Sequence, residues 1–456
     1  MIQKIFSHPR NNRSTDMERL TPFLHTSPSP WHTVVQMEKI LMNHGFVTLN
    51  EESQWSLHPG GRYMVQRQPG AIIAFVMPIQ AQTHYGEDLP KIRLACAHTD
   101  SPGLKLKPTP CKRKSDHIVL DVEVYGSPLL TTWFDRELGM AGQLTLINAD
   151  SRLRHVLFDL NEPVAILPSL AIHLNREAND GAKIRRHDDL SPLLLQNICD
   201  KNQDPLPPFR DWIIERLGVQ YPDDNFHGWD PISWELSLVD VAPPRCIGGE
   251  KGWITAGRLD NLLSCFAAVT ALTSAVIPME KGGGVLPMIA CFNHEEVGSL
   301  SPVGAQGVFL RSVLERLFTD PGQLGRVLSS ATMASVDNAH GIHPNFSDKY
   351  DSNNAPRLNA GIVFKHNANQ RYAHSAVAEG ELKGLCRRLA IPWQDFAMRA
   401  DLPCGSTIGP TLSASLGIKA MDLGVASWAM HSIRETAGLA DIRHLQTLLT
   451  HFFSTP

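Results

Sequence analysis

The second half of the sequence alternates short apolar runs with longer segments of helical spacing, and this alternation constrains the fold most. "GVLPMIACFN", "ATMASVD" and "IKAMDLG" are typical of buried strands, whereas "DNLLSCFAAVTALTSAV" and "SIRETAGLADIRHLQTLLTHFF" have the apolar periodicity of helices. Strands that alternate with helices usually form a parallel sheet covered by helices on both faces. The sequence therefore predicts an α/β domain with a mainly parallel sheet.

The middle of the chain has a different pattern. "HIVLDVEVYGSPLLTTWF", "MAGQLTLIN" and "PVAILPSLAIHLN" are typical of strands, and "VAPPRCIGGEKG" indicates a linker back into another unit. Before this region the chain again combines a helical pattern with strand-like runs such as "IRLACAHTD". We therefore predict one α/β domain formed by residues 1–107 and 246–456, with a β-rich domain inserted at 108–245.

Composition excludes several classes of function. The 456 residues carry 42 Lys plus Arg and 46 Asp plus Glu, a net charge of -4, so we expect neither a nucleic-acid nor a membrane partner. The N-terminus lacks the apolar core of a secretory signal, and no apolar run is long enough to span a bilayer. The eight cysteines form no CxxC pair, which predicts reduced thiols and a cytoplasmic location.

Polar residues follow the predicted strands at the edge where open α/β sheets form their sites. They are His98, Asp100, Glu295, Glu296, Asp337 and His431, with Asp260 at the head of a helix. Each has an ordinary explanation alone: adjacent glutamates are usually a solvated pair, and an aspartate at that position can cap a helix. Together they predict a site of imidazole and carboxylate ligands without thiolate, which suits a pair of divalent ions such as Zn²⁺, Mn²⁺ or Co²⁺.

The adjacent glutamates have a chemical explanation at such a site. One carboxylate can bind metal while the other acts as general base on a water that two ions activate. Asp100, two residues after His98, can orient that imidazole. The pattern predicts metal-assisted hydrolysis, with the proton passed to a leaving amine.

Six blocks in this order resemble the M18 aminopeptidases, the aspartyl aminopeptidase group. They are "CAHTDSPGLKLKP", "GRLDNLLSCF", "NHEEVGS", "VDNAHGIHPNF", "LPCGSTIGP" and "AMHSIRE", and the likeness runs from about residue 20 to the end. The resemblance implies a catalytic α/β domain interrupted by a dimerisation domain. It also implies two zinc ions per subunit, with Mn²⁺ or Co²⁺ as substitutes, and self-association to dimers and a tetrahedral dodecamer.

The resemblance also assigns the residues. It implies that Asp260 bridges the two ions, that His98 and Asp337 complete one of them, and that Glu296 and His431 complete the other. Glu295 would be the general base and Asp100 the residue that orients His98. Members often carry Asp where this chain has Asn293, and the residue at this position is not a metal ligand in the family.

Family members remove N-terminal residues from peptides that have a free N-terminus, and the best-known branch prefers Asp or Glu. The matching substrate-binding residues are His173, His340, His343, Lys365 and Tyr372. His173 resembles a histidine lent to a neighbouring subunit, and Lys365 resembles a lysine that faces an acidic side chain. Residue type alone favours an exposed lysine at 365, so its role comes from the resemblance.

Other functions stay open at this point. A dimetal deacylase or carboxypeptidase on the same fold needs a free carboxylate or an N-acyl group rather than a free amine. A catalytically idle scaffold would keep the fold without hydrolysis. "CGSTIG" contains Ser406 but lacks the GxSxG order of a nucleophile elbow, which favours a backbone turn lining the pocket.

Overall fold

A computed structural model describes residues 14–68, 70–79, 89–181, 183–196, 204–276 and 284–455. The chain divides into two compact units. The first comprises Met1–Asp100, Pro244–Met430 and Glu435–Pro456, and the second comprises Ser101–Pro243 and His431–Arg434. The second unit thus begins earlier than residue 108, and it includes one short segment from the C-terminal part of the chain. The start of the predicted first domain, residues 1–13, lies outside the described residues.

The helices of the described residues are numbered in chain order. They are α1 (Ser14–His25), α2 (Pro30–Met42), α3 (Leu206–Gln220), α4 (Leu259–Ser274), α5 (Phe309–Leu317), α6 (Pro321–Ser330), α7 (Ala376–Arg388), α8 (Ile408–Leu416) and α9 (Leu439–Phe453). None of these helices combines the length and the apolar character needed to cross a bilayer.

The strands are numbered in the same way. They are β1 (Val47–Thr48), β2 (Arg62–Arg67), β3 (Ala71–Val76), β4 (Lys91–His98), β5 (Gly103–Lys114), β6 (His117–Tyr125), β7 (Glu137–Asn148), β8 (Leu153–Ile166), β9 (Leu193–Gln196), β10 (Trp229–Asp240), β11 (Arg245–Ile247), β12 (Trp253–Ala256), β13 (Val285–Phe292), β14 (Thr332–Val336), β15 (Ala339–His340), β16 (Ile362–His366), β17 (Trp393–Ala397), β18 (Lys419–Gly424), β19 (Ala426–Trp428) and β20 (Glu435–Gly438).

The first unit is built on a nine-stranded sheet in the order β1-β2-β3-β13-β4-β14-β18-β16-β17. The pairs β13–β4, β4–β14 and β14–β18 at its centre are parallel, whereas β2–β3, β3–β13 and β16–β18 are antiparallel. The sheet is therefore mixed with a parallel centre. Every residue of β3 and β13 is buried, as expected for strands covered on both faces. The predicted α/β fold is confirmed.

Helix α4 forms the centre of one core layer. Nearly all of its side chains are buried, including Phe266, Val269 and Leu272, and a helix that is apolar on all sides must lie inside a domain. It packs in the same core cluster as the apolar residues of α9, such as Leu445 and Leu449. A second sheet of the unit has the order β11-β12-β20-β19-β15.

The second unit contains a closed barrel in the order β10-β5-β6-β9-β8-β7. Its interior is filled by alternating apolar residues such as Leu138, Met140, Leu144 and Phe158. The strand predicted over "PVAILPSLAIHLN" is wrong after Ile166, because the chain leaves the barrel there and continues in turns. Pro168 lies two residues after Ile166 and has no N–H to donate to a strand ladder.

The first testable prediction concerns Gly424, at the end of β18. A Cβ on Gly424 would overlap the backbone oxygen of Asp337, so Gly424→Ala should destabilise the fold by about 1–3 kcal/mol. Gly384 in α7 is the matched control, because a Cβ there meets nothing within 4 Å. Gly384→Ala should stabilise the protein by up to about 1 kcal/mol through helix propensity. Thermal unfolding of both variants measures the two effects, and equal shifts in Tm would contradict the prediction.

Candidate metal centre

Three neighbouring strands of the first unit bring the predicted residues to one edge of the sheet. Phe292 of β13 is paired with His98 of β4, and Ser335 of β14 is paired with Cys96 of the same strand. The three strands run parallel, so their carboxyl ends lie side by side. The residues that follow these ends therefore meet at one edge of the sheet.

His98 is the centre of this group and is almost fully buried. Its Nδ1 donates a hydrogen bond to the backbone oxygen of Asp100 at 3.0 Å. Its Nε2 lies 3.4 Å from Oδ1 of Asp260 and 3.6 Å from Oδ1 of Asp337. The ring is thus held by one nitrogen and presents the other to two carboxylates.

Asp260 is placed by an interruption at the start of α4. Asp260 and Asn261 depart from helical backbone angles, and the peptide bond between them is cis. The N–H of Asp260 donates to Oε2 of Glu435 at 2.7 Å, and the side chain of Asn261 donates to the backbone oxygen of Val336 at 2.9 Å. The start of α4 is therefore held by one hydrogen bond from Asp260 and one from Asn261. Glu435 is buried, and our reasoning from the sequence did not single it out, although it lies in the block "AMHSIRE".

The two adjacent glutamates begin a short 3-10 turn, Glu295–Val297, which follows His294 in the left-handed region at φ 64°. The carboxylate of Asp100 accepts the N–H groups of both glutamates, each at 3.1 Å. Asp100 thus has a second role besides facing His98, because its side chain holds the turn that carries both glutamates. Its carboxylate oxygen Oδ1 is 3.5 Å from Nδ1 of His98.

Burial and the nearby negative charges shift the pKa values of Glu295 and His98. Burial raises the pKa of Glu295 to about 7, and the carboxylates of Asp337, Asp100 and Asp260 act in the same direction against the opposing effect of His98. Burial would lower the pKa of His98, but its interactions with the neighbouring aspartates raise it well above 6.5. The site without metal thus retains protons that a cation would displace.

Lys365 is buried, so the exposure that its residue type alone predicts is wrong. Its Nζ donates to Oδ2 of Asp337 at 3.0 Å and lies 5.1 Å from the ring centroid of Tyr372. Tyr372 is also buried, and burial raises the pKa of its hydroxyl. These two predicted substrate-binding residues therefore lie beside each other and next to the carboxylate cluster.

His340 and His343 line a cavity of about 290 Å³ together with Phe346, Tyr350 and Phe396. The ring of Phe396 connects this cavity to Tyr372, because its centroid lies 5.8 Å from that of His340 and 6.2 Å from that of Tyr372. The four predicted pocket residues of the first unit thus form one continuous region.

His173 and His431 belong to the second unit. His173 is exposed in a turn between Ala171 and Asn175. His431 donates through Nδ1 to the backbone oxygen of Ser127 at 3.1 Å, which in a neutral ring leaves the lone pair on Nε2. Their assigned roles at the metal centre stay predictions.

The residues at the sheet edge fit a divalent metal ion. His98, Asp260 and Asp337 each offer one ligand atom within 4.8 Å of the others, and so do His98, Glu295 and Glu296. Two ligands about 2.1 Å from an ion with tetrahedral geometry lie about 3.4 Å apart. The distances from Nε2 of His98 to the Oδ1 atoms of Asp260 and Asp337 are close to this value and longer than a good hydrogen bond. An imidazole with several carboxylates is a donor set that zinc accepts.

A buried histidine among carboxylates at the strand ends of an α/β fold is an arrangement that metal-dependent hydrolases use. The sequence model of the family described as "Aminopeptidase I zinc metalloprotease (M18)" matches residues 23–453. The "Probable M18 family aminopeptidase 2" of Ectopseudomonas mendocina (strain ymp) is 40% identical over 440 residues, which cover 96% of this chain and 98% of that protein.

Solved structures support the same assignment. Ape4 in the cryo-EM structure of the Ape4 and Nbr1 complex has a TM-score of 0.89 and 31% identity, covering 98% of this chain and 87% of that one. The S. cerevisiae mApe1 dodecamer has a TM-score of 0.80 and 27% identity, covering 97% of each chain. The chain therefore belongs to the M18 family of zinc aminopeptidases, as its sequence blocks predicted.

The second testable prediction concerns Asp100. Asp100→Asn keeps the size of the side chain but replaces one oxygen by a donor, which cannot accept the N–H of a glutamate. We expect zinc affinity or activity to fall by about 10–100-fold. Zinc content after dialysis and peptide hydrolysis measure the two losses. Wild-type values for both would contradict a role of Asp100 in holding the turn.

Proposed function

We propose that this M18 enzyme removes the N-terminal residue of peptides, preferably Asp or Glu, at a centre that holds two zinc ions. The observation that carries the proposal is the meeting of His98, Asp260 and Asp337 beside the turn of Glu295 and Glu296. Mn²⁺ and Co²⁺ substitute for zinc in this proposal, because the donor set has no thiolate that would select against them.

The proposed ligands divide between the two ions. His98 and Asp337 would hold one ion, Glu296 and His431 would hold the other, and Asp260 would serve both. The contacts of Asp260 with Glu435, and of Lys365 with Asp337, support fixed positions for these carboxylates. Bound zinc would lower the pKa of water toward about 7 and polarise the scissile carbonyl.

Glu295 is the proposed general base. Its pKa of about 7 in the site without metal is raised mainly by burial, and bound cations would lower it. The place of Glu295 beside the proposed ligands supports its role as the group that takes a proton from water. In the first step the Glu295 carboxylate accepts the proton, and in the second its carboxyl group protonates the nitrogen of the leaving amine. Asp100 keeps Glu295 in position through the backbone N–H of the turn.

A preference for acidic N-terminal residues is supported by the positive charge of Lys365 in a buried region. Lys365 lies against Asp337 and the face of Tyr372, so a substrate carboxylate there would gain a charge-assisted hydrogen bond in surroundings with little water. His340 and His343 line the adjoining cavity and add further donors. In this proposal these residues bind the first side chain of the substrate.

Self-association is proposed to complete the site. The segment that carries His173 leaves Leu170, Ile172 and Leu174 exposed by 58%, 46% and 76%. Apolar side chains that cluster on a surface are typical of an interface between proteins. In this proposal the second unit forms dimers, which assemble into a dodecamer like that of the related mApe1, and His173 reaches a neighbouring subunit's site. The cytoplasmic location stays a prediction from the reduced thiols.

The third testable prediction separates the two glutamates. Glu295→Gln should retain most bound zinc but lose activity by roughly 10²–10⁴-fold, because an amide cannot accept the proton. Glu296→Ala should lose zinc as well as activity, because it removes a ligand. Zinc content and hydrolysis of amino-acid p-nitroanilides measure the two effects. Near-wild-type turnover by Glu295→Gln would exclude Glu295 as the base.

The fourth testable prediction concerns specificity. Lys365→Met keeps an unbranched side chain but removes the charge, and it should lower kcat/KM on Asp- and Glu-initiated peptides at least about tenfold more than on Leu-initiated peptides. The ratio of kcat/KM between acidic and Leu-initiated peptides cancels any general loss of activity caused by removing the contact with Asp337. Equal losses on all three would remove Lys365 from the specificity role.

A comparison of free and N-acetylated dipeptides separates this function from its alternatives. An aminopeptidase cleaves only the free form, whereas a deacylase or carboxypeptidase on the same fold accepts the acetylated one. A zinc-loaded protein that hydrolyses neither would be an idle scaffold.

A further inference from the structure

A second group of histidines and carboxylates lies in the first unit and shares no residue with the metal centre. His366 is the last residue of β16, His374 precedes α7, and Glu379 lies in the first turn of that helix. The two imidazole rings have centroids 4.9 Å apart. Their side chains are 29% and 31% exposed, and that of Glu379 is 17% exposed. The group is therefore partly buried but open to an ion from solvent.

The side chains of this group converge on one carboxylate. Nε2 of His374 lies 3.0 Å from Oε2 of Glu379, and Nε2 of His366 lies 3.5 Å from Oε1 of Glu379. Nε2 of His366 is also 2.9 Å from Oδ1 of Asp395 in β17. His366, His374 and Glu379 each offer one ligand atom within 4.8 Å of the others. Ligands of a tetrahedral zinc ion are about 3.4 Å apart, so rotation of these side chains would bring the three atoms to one ion.

Lys383 provides the positive charge in the structure. Its Nζ lies 2.7 Å from Oε1 of Glu379 and 2.7 Å from Oδ1 of Asp395. Burial would raise the pKa of Glu379, but hydrogen bonds from Lys383 and His374 lower it, so the carboxylate is ionised at neutral pH. One ammonium between two carboxylates leaves a net negative charge when both imidazoles are neutral. The lysine therefore occupies part of the space that an ion bound to the same oxygens would need.

We propose that His366, His374 and Glu379, with Asp395 as a fourth ligand, form a separate site for one divalent transition-metal ion of the zinc class. Two imidazoles and a carboxylate are a common zinc donor set. In this proposal the ion displaces Lys383 from the carboxylates and joins the end of β16 to α7 and β17. Neighbouring residues of a strand point to opposite faces, so His366 faces this site while Lys365 faces the metal centre.

The alternative is an ion-pair network that binds no metal. The two explanations predict different effects of the substitution Lys383→Met. If the group is only an ion-pair network, Lys383→Met removes its cation, lowers the Tm and leaves zinc binding unchanged. If the group is a metal site, Lys383→Met removes a competitor of like charge and raises the affinity for zinc on the order of tenfold or more.

The first experiment measures zinc per chain in the full-length protein by equilibrium dialysis against free Zn²⁺ on the order of 10 μM, above the Kd expected for the additional ion. The His366→Ala/His374→Ala double variant should hold one equivalent less than the wild type. His444→Ala is the matched control, because His444 is also 30% exposed and lies 3.9 Å from a carboxylate of Asp441. The control should keep the wild-type zinc content. The same content in all three proteins would overturn the proposal.

Titration with Zn²⁺ and thermal unfolding provide the second measurement. The wild type should bind the additional equivalent with a Kd on the order of 1 μM or tighter, and its Tm should rise on binding. Glu379→Gln keeps the size of the side chain, and it replaces the double variant in this test if the double variant does not fold. It should weaken the additional binding step at least about tenfold, because an amide is a poor zinc ligand. A Kd unchanged by Glu379→Gln and by Lys383→Met would rule out the site.

Discussion

Repulsion between buried carboxylates is the interaction on which the functional part of this structure depends. Asp100, Asp260, Asp337 and Glu295 raise the pKa of His98, and the three aspartates also raise that of Glu295. Ionised carboxylates at this depth are unfavourable without positive charge nearby. The raised pKa of His98 favours its protonated form, and Lys365 donates to Asp337. A pair of zinc ions would supply more positive charge, which couples metal binding to the stability of the strand ends.

Backbone N–H groups and carboxylates hold several of these residues in place. Asp100 accepts two N–H groups of the glutamate turn, and Glu435 accepts the N–H of Asp260. Gly424 allows the backbone of Asp337 to approach β18 without a Cβ between them. Positions set by main-chain hydrogen bonds vary little, because the backbone has few soft torsions. Such rigidity suits ligands that must meet an ion within a few tenths of an ångström.

The sequence predicted the α/β fold and the meeting of His98, Glu295 and Asp337, because residues after parallel neighbouring strands must lie at one edge. It could not predict the burial of Lys365, since a lysine is buried only when distant segments supply a partner such as Asp337. Glu435 was missed for a similar reason, because its contact with Asp260 depends on a break in helical backbone that no periodicity encodes. The strand predicted beyond Ile166 followed apolar content alone, and the side chains of Leu170 and Ile172 are in fact exposed.

The insertion of one unit into the sequence of the other has a consequence for biosynthesis. Strand β4 pairs on its two sides with β13 and β14, which are synthesised only after the whole barrel region. All six barrel strands lie in the continuous segment Ser101–Pro243, so they can pair before the rest of the chain is synthesised, although Ile433 joins their core only later. Strand β4 must meanwhile wait for both of its neighbours, whereas β3 can already pair with β2 and waits only for β13. The order of translation thus places the completion of the metal centre among the last steps of maturation.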